Sequence, residues 1–238
     1  MTTLGRAWLV SGKPWEESVA LVSRQARALL PQICSGPTQC SIDDVARSDD
    51  ATVKLLLRMA DGARVEAVII PSRRGAAGGR TTLCVSSQVG CGRRCAFCAT
   101  GTLGLQRQLN ADEIVVQLRV ARAYWETSRG DSPPIGNVVF MGMGEPLDNL
   151  DAVCVAVAVF CDDRAFGFAA SRVTVSTVGV AARVAQFLRT CPARLAVSLH
   201  APDDRRRSAL MPVNRHTDLG ALKAVLLSSL PAGREVFV

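Results

Sequence analysis

Apolar residues recur along the chain at two different spacings, and the change between them divides it. Trp15, Val19, Val22, Ala26 and Leu29 follow the three-to-four-residue step of a helix face, with Pro14 at a tolerated first-turn position and Pro31 where the run stops. Residues 1–50 are therefore expected to form a small N-terminal helical region. Residues 52–59 and 65–71 are instead short, apolar and β-prone, and Asp61-Gly62 between them is a turn pair, so they predict a hairpin. This hairpin and the Gly/Arg loop at 73–80 make a second unit, 51–80. Strand and helix signals then alternate to the end: strands over 81–87, 137–141, 172–176, 194–199 and 234–238, helices from Asn110 and over 150–160, 180–188 and 219–230. Asn110 is a good N-cap with Glu113 placed for a capping box, and Ile114, Leu118, Ala121 and Trp125 share one face of the helix that follows. Such alternation with right-handed crossovers predicts an α/β parallel sheet. The expected architecture over 81–238 is a partial (β/α) barrel, incomplete after the fifth strand, with its chemistry at the carboxyl ends of the strands.

A chain of 238 residues with 48% hydrophobic content can bury a real core, which argues against global disorder. The longest apolar run, 152–161, is too short to span a bilayer, and the brief apolar stretch at 7–10 is followed by Lys13-Pro14. No membrane association and no signal peptide are expected, and a cytoplasmic location follows by default. The net charge is +7, carried almost wholly by arginine, since the lysines are Lys13, Lys54 and Lys223. The surplus suits a phosphate-rich partner or a solvated surface; loop 73–80, Arg93, Arg94, Arg205, Arg206 and Arg207 are the candidate phosphate contacts. The cysteines number nine, odd and high for a cytosolic chain, so metal or thiol chemistry explains them better than a disulfide framework. Cys34 and Cys40 read as structural; Cys154 and Cys161 lie on or beside an apolar helix, and Cys191 lies in a turn.

Cys91, Cys95 and Cys98 fall in one loop after the first parallel strand, at steps of four and three. Three soft thiolates so close can hold a [4Fe–4S] cubane and leave one iron open to a chelating small molecule, with Phe97 placed to shield the cluster. The alternative is a zinc knuckle with Cys84 as fourth thiolate, although no second C-x-x-C pair exists.

The C-x-x-x-C-x-aromatic-C loop resembles the hallmark of radical S-adenosylmethionine (SAM) enzymes. Four further segments sharpen the likeness: Cys84-Val-Ser-Ser-Gln-Val-Gly-Cys91, Phe140-Met-Gly-Met-Gly-Glu-Pro-Leu147, Arg172-Val-Thr-Val-Ser-Thr177 and Val197-Ser-Leu-His-Ala-Pro202. Together they resemble the RlmN/Cfr family of radical SAM methyltransferases, which act on C2 or C8 of adenosine in ribosomal RNA and, for some members, transfer RNA.

The resemblance implies a division of roles. Cys91, Cys95 and Cys98 would ligate a [4Fe–4S] cluster, and SAM would chelate the open iron and be cleaved to a 5′-deoxyadenosyl radical by an electron from a flavodoxin-type donor. Gly144, Glu145, Ser176, Ser198, Leu199 and His200 would contact SAM, the Glu145 carboxylate pairing with its ammonium group. Glu66 would accept the proton when the adenine rearomatises, and Cys84 would resolve an enzyme–RNA adduct through a transient disulfide. In the family the methyl-carrying cysteine and partner of that disulfide lies beyond the fifth strand, and neither Cys154, Cys161 nor Cys191 is placed to replace it. This stretch by itself is thus expected to lack the methyl carrier. SAM cleavage without methyl transfer, and a non-catalytic RNA-binding or zinc-binding remnant, are the competing readings.

Overall fold

The computed structural model describes residues 38–72 and 79–238, together with Glu17 and Ala20, which are helical. The rest of the helix expected over Trp15 to Leu29, Cys34 and most of the Gly/Arg loop lie outside the described residues. An eight-stranded sheet runs through the rest. Its first strands, β1 (Cys40–Arg47), β2 (Val53–Met59) and β3 (Arg64–Ile70), form an antiparallel meander that joins β4 (Thr81–Cys84) antiparallel. The parallel part continues with β7 (Ile135–Phe140), β8 (Val173–Thr177), β9 (Arg194–Val197) and β10 (Val236–Phe237). Between β4 and β7, β5 (Gln88–Gly90) and β6 (Leu105–Gln108) pair in a separate antiparallel ribbon. The parallel strands lie side by side in chain order, with no reversal of direction across the sheet. That singly wound order belongs to a barrel segment, not to a doubly wound sheet.

Strand β1 corrects the expectation of a helical region through residue 50. Cys40, Ile42 and Val45 pack on the core, but a bulge between Ile42 and Asp44 adds a residue and breaks the two-residue alternation. The hairpin was legible because no such break occurs there. Val53, Leu55, Leu57 and Met59 on β2, and Val65, Ala67 and Ile69 on β3, are buried, and Gly62 takes a positive φ at the turn.

The helices are α1 (Ala99–Thr102), α2 (Ala111–Ser128), α3 (Leu150–Cys161), α4 (Ala181–Thr190), α5 (Asp204–Leu210) and α6 (Leu219–Ser229); α2, α3, α4 and α6 pack in a row over one face of the sheet, while α1 continues the loop after Cys98. Helix α2 packs on β1–β3 and on α3. It buries Ile114, Leu118, Ala121 and Trp125. Its start has the expected reciprocal cap: Asn110 Oδ1 accepts from Glu113 N at 2.8 Å, and Glu113 Oε2 accepts from Asn110 N at 2.9 Å. Helix α5 was not expected. Among the described residues no helix is long and apolar enough to cross a membrane. Replacing the Asn110→Ala cap should lower unfolding free energy by about 1 kcal/mol without changing the fold, read as a reduced urea midpoint at constant slope.

Candidate cofactor site at the strand ends

Register decides which side chains share the open face of the sheet. Cys84 stands opposite Val68 and Val139, Val139 opposite Thr174, and Thr174 opposite Arg194. Glu66, Met141, Ser176 and Ser198 follow on that face at the two-residue step. Leu83, Val138, Val175 and Leu195 alternate onto the helix-covered face and are fully buried. At the carboxyl rim of the open face lies a cavity of ≈ 370 Å³. Cys91, Cys95, Cys98, Gly144, Glu145, Ser176, Ser198 and His200 all line it.

The cysteine loop hangs from the β5–β6 ribbon. Cys91 N donates to Gly104 O at 2.9 Å, and Gly90, just before it, has φ +76°. A Cβ on Gly90 would sit 1.9 Å from Gly104 O, so only glycine lets the two arms of the loop close. At the far side Ala96 N donates to Leu210 O at 2.8 Å, which anchors the loop to α5. Arg93 makes a two-pronged ion pair with Asp148, next to the cavity. Burial pushes the Cys91 and Cys95 thiols up, Cys95 further through the neighbouring sulfurs. Phe97 is exposed and its ring lies 4.4 Å from that of His200, which holds a left-handed backbone at φ 59°.

Glu145 is only 2% exposed. One carboxylate oxygen accepts from Leu147 N at 2.9 Å and the other from Val178 N at 2.8 Å, while its own N–H donates to Gln88 Oε1 at 2.8 Å. Gly144 before it has φ +100°, and a Cβ there would lie 2.6 Å from Gln88 Cβ. Burial raises the Glu145 pKa to about 7, opposed by hydrogen bonds from Val178, Thr177 and Leu147. Ser176 Oγ and Ser198 Oγ, from adjacent strands, meet at 3.2 Å.

Three predicted site residues do not line the cavity. Leu199 turns aside, and its carbonyl accepts from Arg207 Nε at 3.2 Å. Glu66 lies further down the open face, where Lys54 Nζ pairs with its carboxylate at 2.9 Å. Cys84 is buried on β4, and burial raises its pKa to about 11. Arg207 corrects the phosphate-contact expectation most clearly. It is fully buried and donates to the carbonyls of Val178, Ser198 and Leu199 and to Asn214 Oδ1. It is a positioning residue that sequence reasoning missed: its place among three consecutive arginines looked like a solvated charge run. Arg206 instead pairs with Asp203 at the surface.

The donor set fits a cubane. Three soft thiols face one cavity from one loop, and cubane thiolates bind separate irons. Cys84, the fourth ligand of the zinc alternative, does not line that cavity, and among the described residues no three His, Cys, Asp or Glu, the loop thiols included, lie close enough to hold a single ion.

Residues 85–227 match the model of the Radical SAM superfamily. A protein of Sorangium cellulosum named "Probable RNA methyltransferase" is 56% identical over 195 residues, 82% of this chain and 47% of that protein. The "Dual-specificity RNA methyltransferase RlmN" of Nitratidesulfovibrio vulgaris is 41% identical over 223 residues, 93% of this chain and 60% of that protein. The crystal structure of a radical SAM methyltransferase from Sphaerobacter thermophilus superposes with TM-score 0.77 at 33% identity, over 95% of this chain and 70% of that one. The chain thus spans roughly half of the length of these curated relatives, 47% and 60%.

Two outcomes test the geometry. Glu145 has a folded-state pKa of about 7 against 4.5 for an ordinary glutamate, so its contribution to stability is full below about pH 4.5 and is lost as pH rises through 7. Glu145→Gln should flatten that fall, by roughly 3 kcal/mol at most, in urea unfolding compared at about pH 5 and about pH 8. Arg207→Met keeps much of the volume but strands buried carbonyls, and should cost about 3 kcal/mol, with partial recovery in Arg207→Lys. A variant as stable as wild type would show that the carbonyls find other donors.

Proposed function

The chain belongs to the RlmN/Cfr family of the radical SAM superfamily, and on that footing we propose that it takes part in methyl transfer from SAM to C2 or C8 of adenosine in ribosomal or transfer RNA. One observation carries this reading: the three loop thiols, the Gly144-Glu145 turn and the Ser176–Ser198 pair share a single cavity at the strand ends. When bound, the [4Fe–4S] cluster and SAM, the cofactors of this family, supply the one-electron chemistry that an electron-poor ring carbon requires.

The chain's own groups supply holding, orientation and dryness. Cys91, Cys95 and Cys98 hold the cluster. Glu145 sits at the rim with a carboxyl that ionises near neutrality, a fit for a cationic ammonium group that would favour the charged form. The paired hydroxyls of Ser176 and Ser198 are oriented by each other and offer a donor and an acceptor to ribose or carboxylate oxygens. Phe97, on the cysteine loop, meets the His200 ring at 4.4 Å and joins the loop to the segment after β9. Glu66 is the proton acceptor in this reading, its carboxylate steadied by Lys54 on the open face. Cys84 is the resolving thiol; its burial keeps it protonated until a partner sulfur and a base reach it. RNA and a flavodoxin-type electron donor are the partners, and the cytoplasm is the compartment.

Anaerobic reconstitution with iron and sulfide tests the reading. Wild-type protein should gain the broad absorption of a cluster and cleave SAM to 5′-deoxyadenosine on reduction, and Cys95→Ala should lose both. Equal iron in the variant, or a colourless protein that binds zinc instead, overturns the assignment.

A further inference from the structure

Cys154 and Cys191 form a second thiol site, on the helix side of the sheet and outside the cavity lining. Cys154 is half-buried on α3, and Cys191 is buried at the residue that ends α4. Packing of α3 against α4 brings them together. Cys154 Sγ lies 3.8 Å from Thr190 Oγ1, and Cys191 is the next residue in the chain. Both are free thiols.

The pair is asymmetric in access and in charge. Cys154 can be reached from solvent, whereas Cys191 is 2% exposed. Hydrogen bonding from Cys191 favours negative charge on Cys154 against burial and nearby Asp151, so its thiol ionises more readily than usual. Cys191, which gives its S–H to Cys154 in a buried setting, ionises less readily, although Arg234 faces it. Reactive dithiols have this arrangement: an accessible attacking thiolate backed by a protected thiol.

We propose that Cys154 and Cys191 are a redox modification site, with Cys154 attacking and Cys191 resolving, closed to an intramolecular disulfide by a low-molecular-weight disulfide. The Cys154 thiolate attacks one sulfur of the small disulfide, whose S–S bond breaks and releases one thiolate, which takes a proton from water. Cys191 gives its proton to water, as Cys154 did on ionising, and attacks Cys154 Sγ; the second small thiolate leaves and takes a proton from water. Two protein thiols are oxidised and one disulfide is reduced to two thiols, so two electrons move and protons balance. The new bond would tie α3, which begins just past the Glu145 turn, to the segment that enters β9. The site stands apart from the cluster thiols and does not depend on the methyltransferase reading.

Oxidised glutathione, added anaerobically to the cluster-loaded protein, tests this. Non-reducing peptide mapping should find a Cys154–Cys191 cross-link that dithiothreitol reverses. Cys191→Ser should retain a glutathione adduct on Cys154 that wild type resolves, and Cys154→Ser should leave Cys191 unmodified. Absence of the cross-link in wild type, or an adduct on Cys154 that wild type keeps as long as Cys191→Ser does, overturns the proposal; the wild-type map is decisive even if a variant fails to fold.

Discussion

A buried hydrogen-bond chain from Gln88 through Glu145 and Val178 to Arg207 is the constraint on which the cavity depends. Parallel strands that end at a common rim leave backbone groups that the sheet no longer pairs. Glu145 takes the N–H of Val178 and Arg207 takes its carbonyl, so both sides of one residue just past β8 are fixed by buried ionisable groups. Arg207 then reaches the carbonyls of Ser198 and Leu199 past β9, and Gln88 holds the Glu145 N–H from the ribbon that carries the cysteine loop. Each link crosses from one strand end to the next. Neither charge meets the other, and each would be costly to bury without these partners. The rim is therefore rigid where it is most polar.

The two faces of the sheet divide stability from chemistry. Leu83, Val138, Val175 and Leu195 fill the helix side completely. The opposite face carries the buried Cys84, the half-buried Ser176 and Ser198 and, on the meander, Glu66. Because side chains alternate, a one-residue slip in any strand would exchange core for site. The buried positions thus fix the register of the functional ones. The meander β1–β3 widens the open face beyond the barrel segment, with Lys54 and Glu66 paired across it.

How much was legible in the sequence depended on whether a feature is local. The start of α2 was visible because Asn110 and Glu113 satisfy each other within one turn. The loop thiols were visible because the eight residues 91–98 contain them all. Strand β1 was hidden by one bulged residue, and β5 and β6 were hidden because three or four residues carry too short an alternation to register. Glu145 was found as a ligand contact, yet its hold on Val178 joins positions 33 apart and belongs to the tertiary structure alone. Arg207 was misread for the same reason, since nothing within the run 205–207 distinguishes the inward arginine from its solvated neighbours.

The cysteines show why composition could point to thiol chemistry without dividing it. Count and compartment argued only against a disulfide framework. Environment separates the described ones. Cys91 and Cys95 crowd one cavity, where each sulfur makes ionising the next harder, a repulsion that a bound cationic cluster would relieve. Cys84 is sealed against β7 on the strand itself and stays protonated. Cys154 gains a donor instead of like neighbours, and its thiol moves the other way. One side chain thus takes three chemical characters in this chain, set by what surrounds each sulfur.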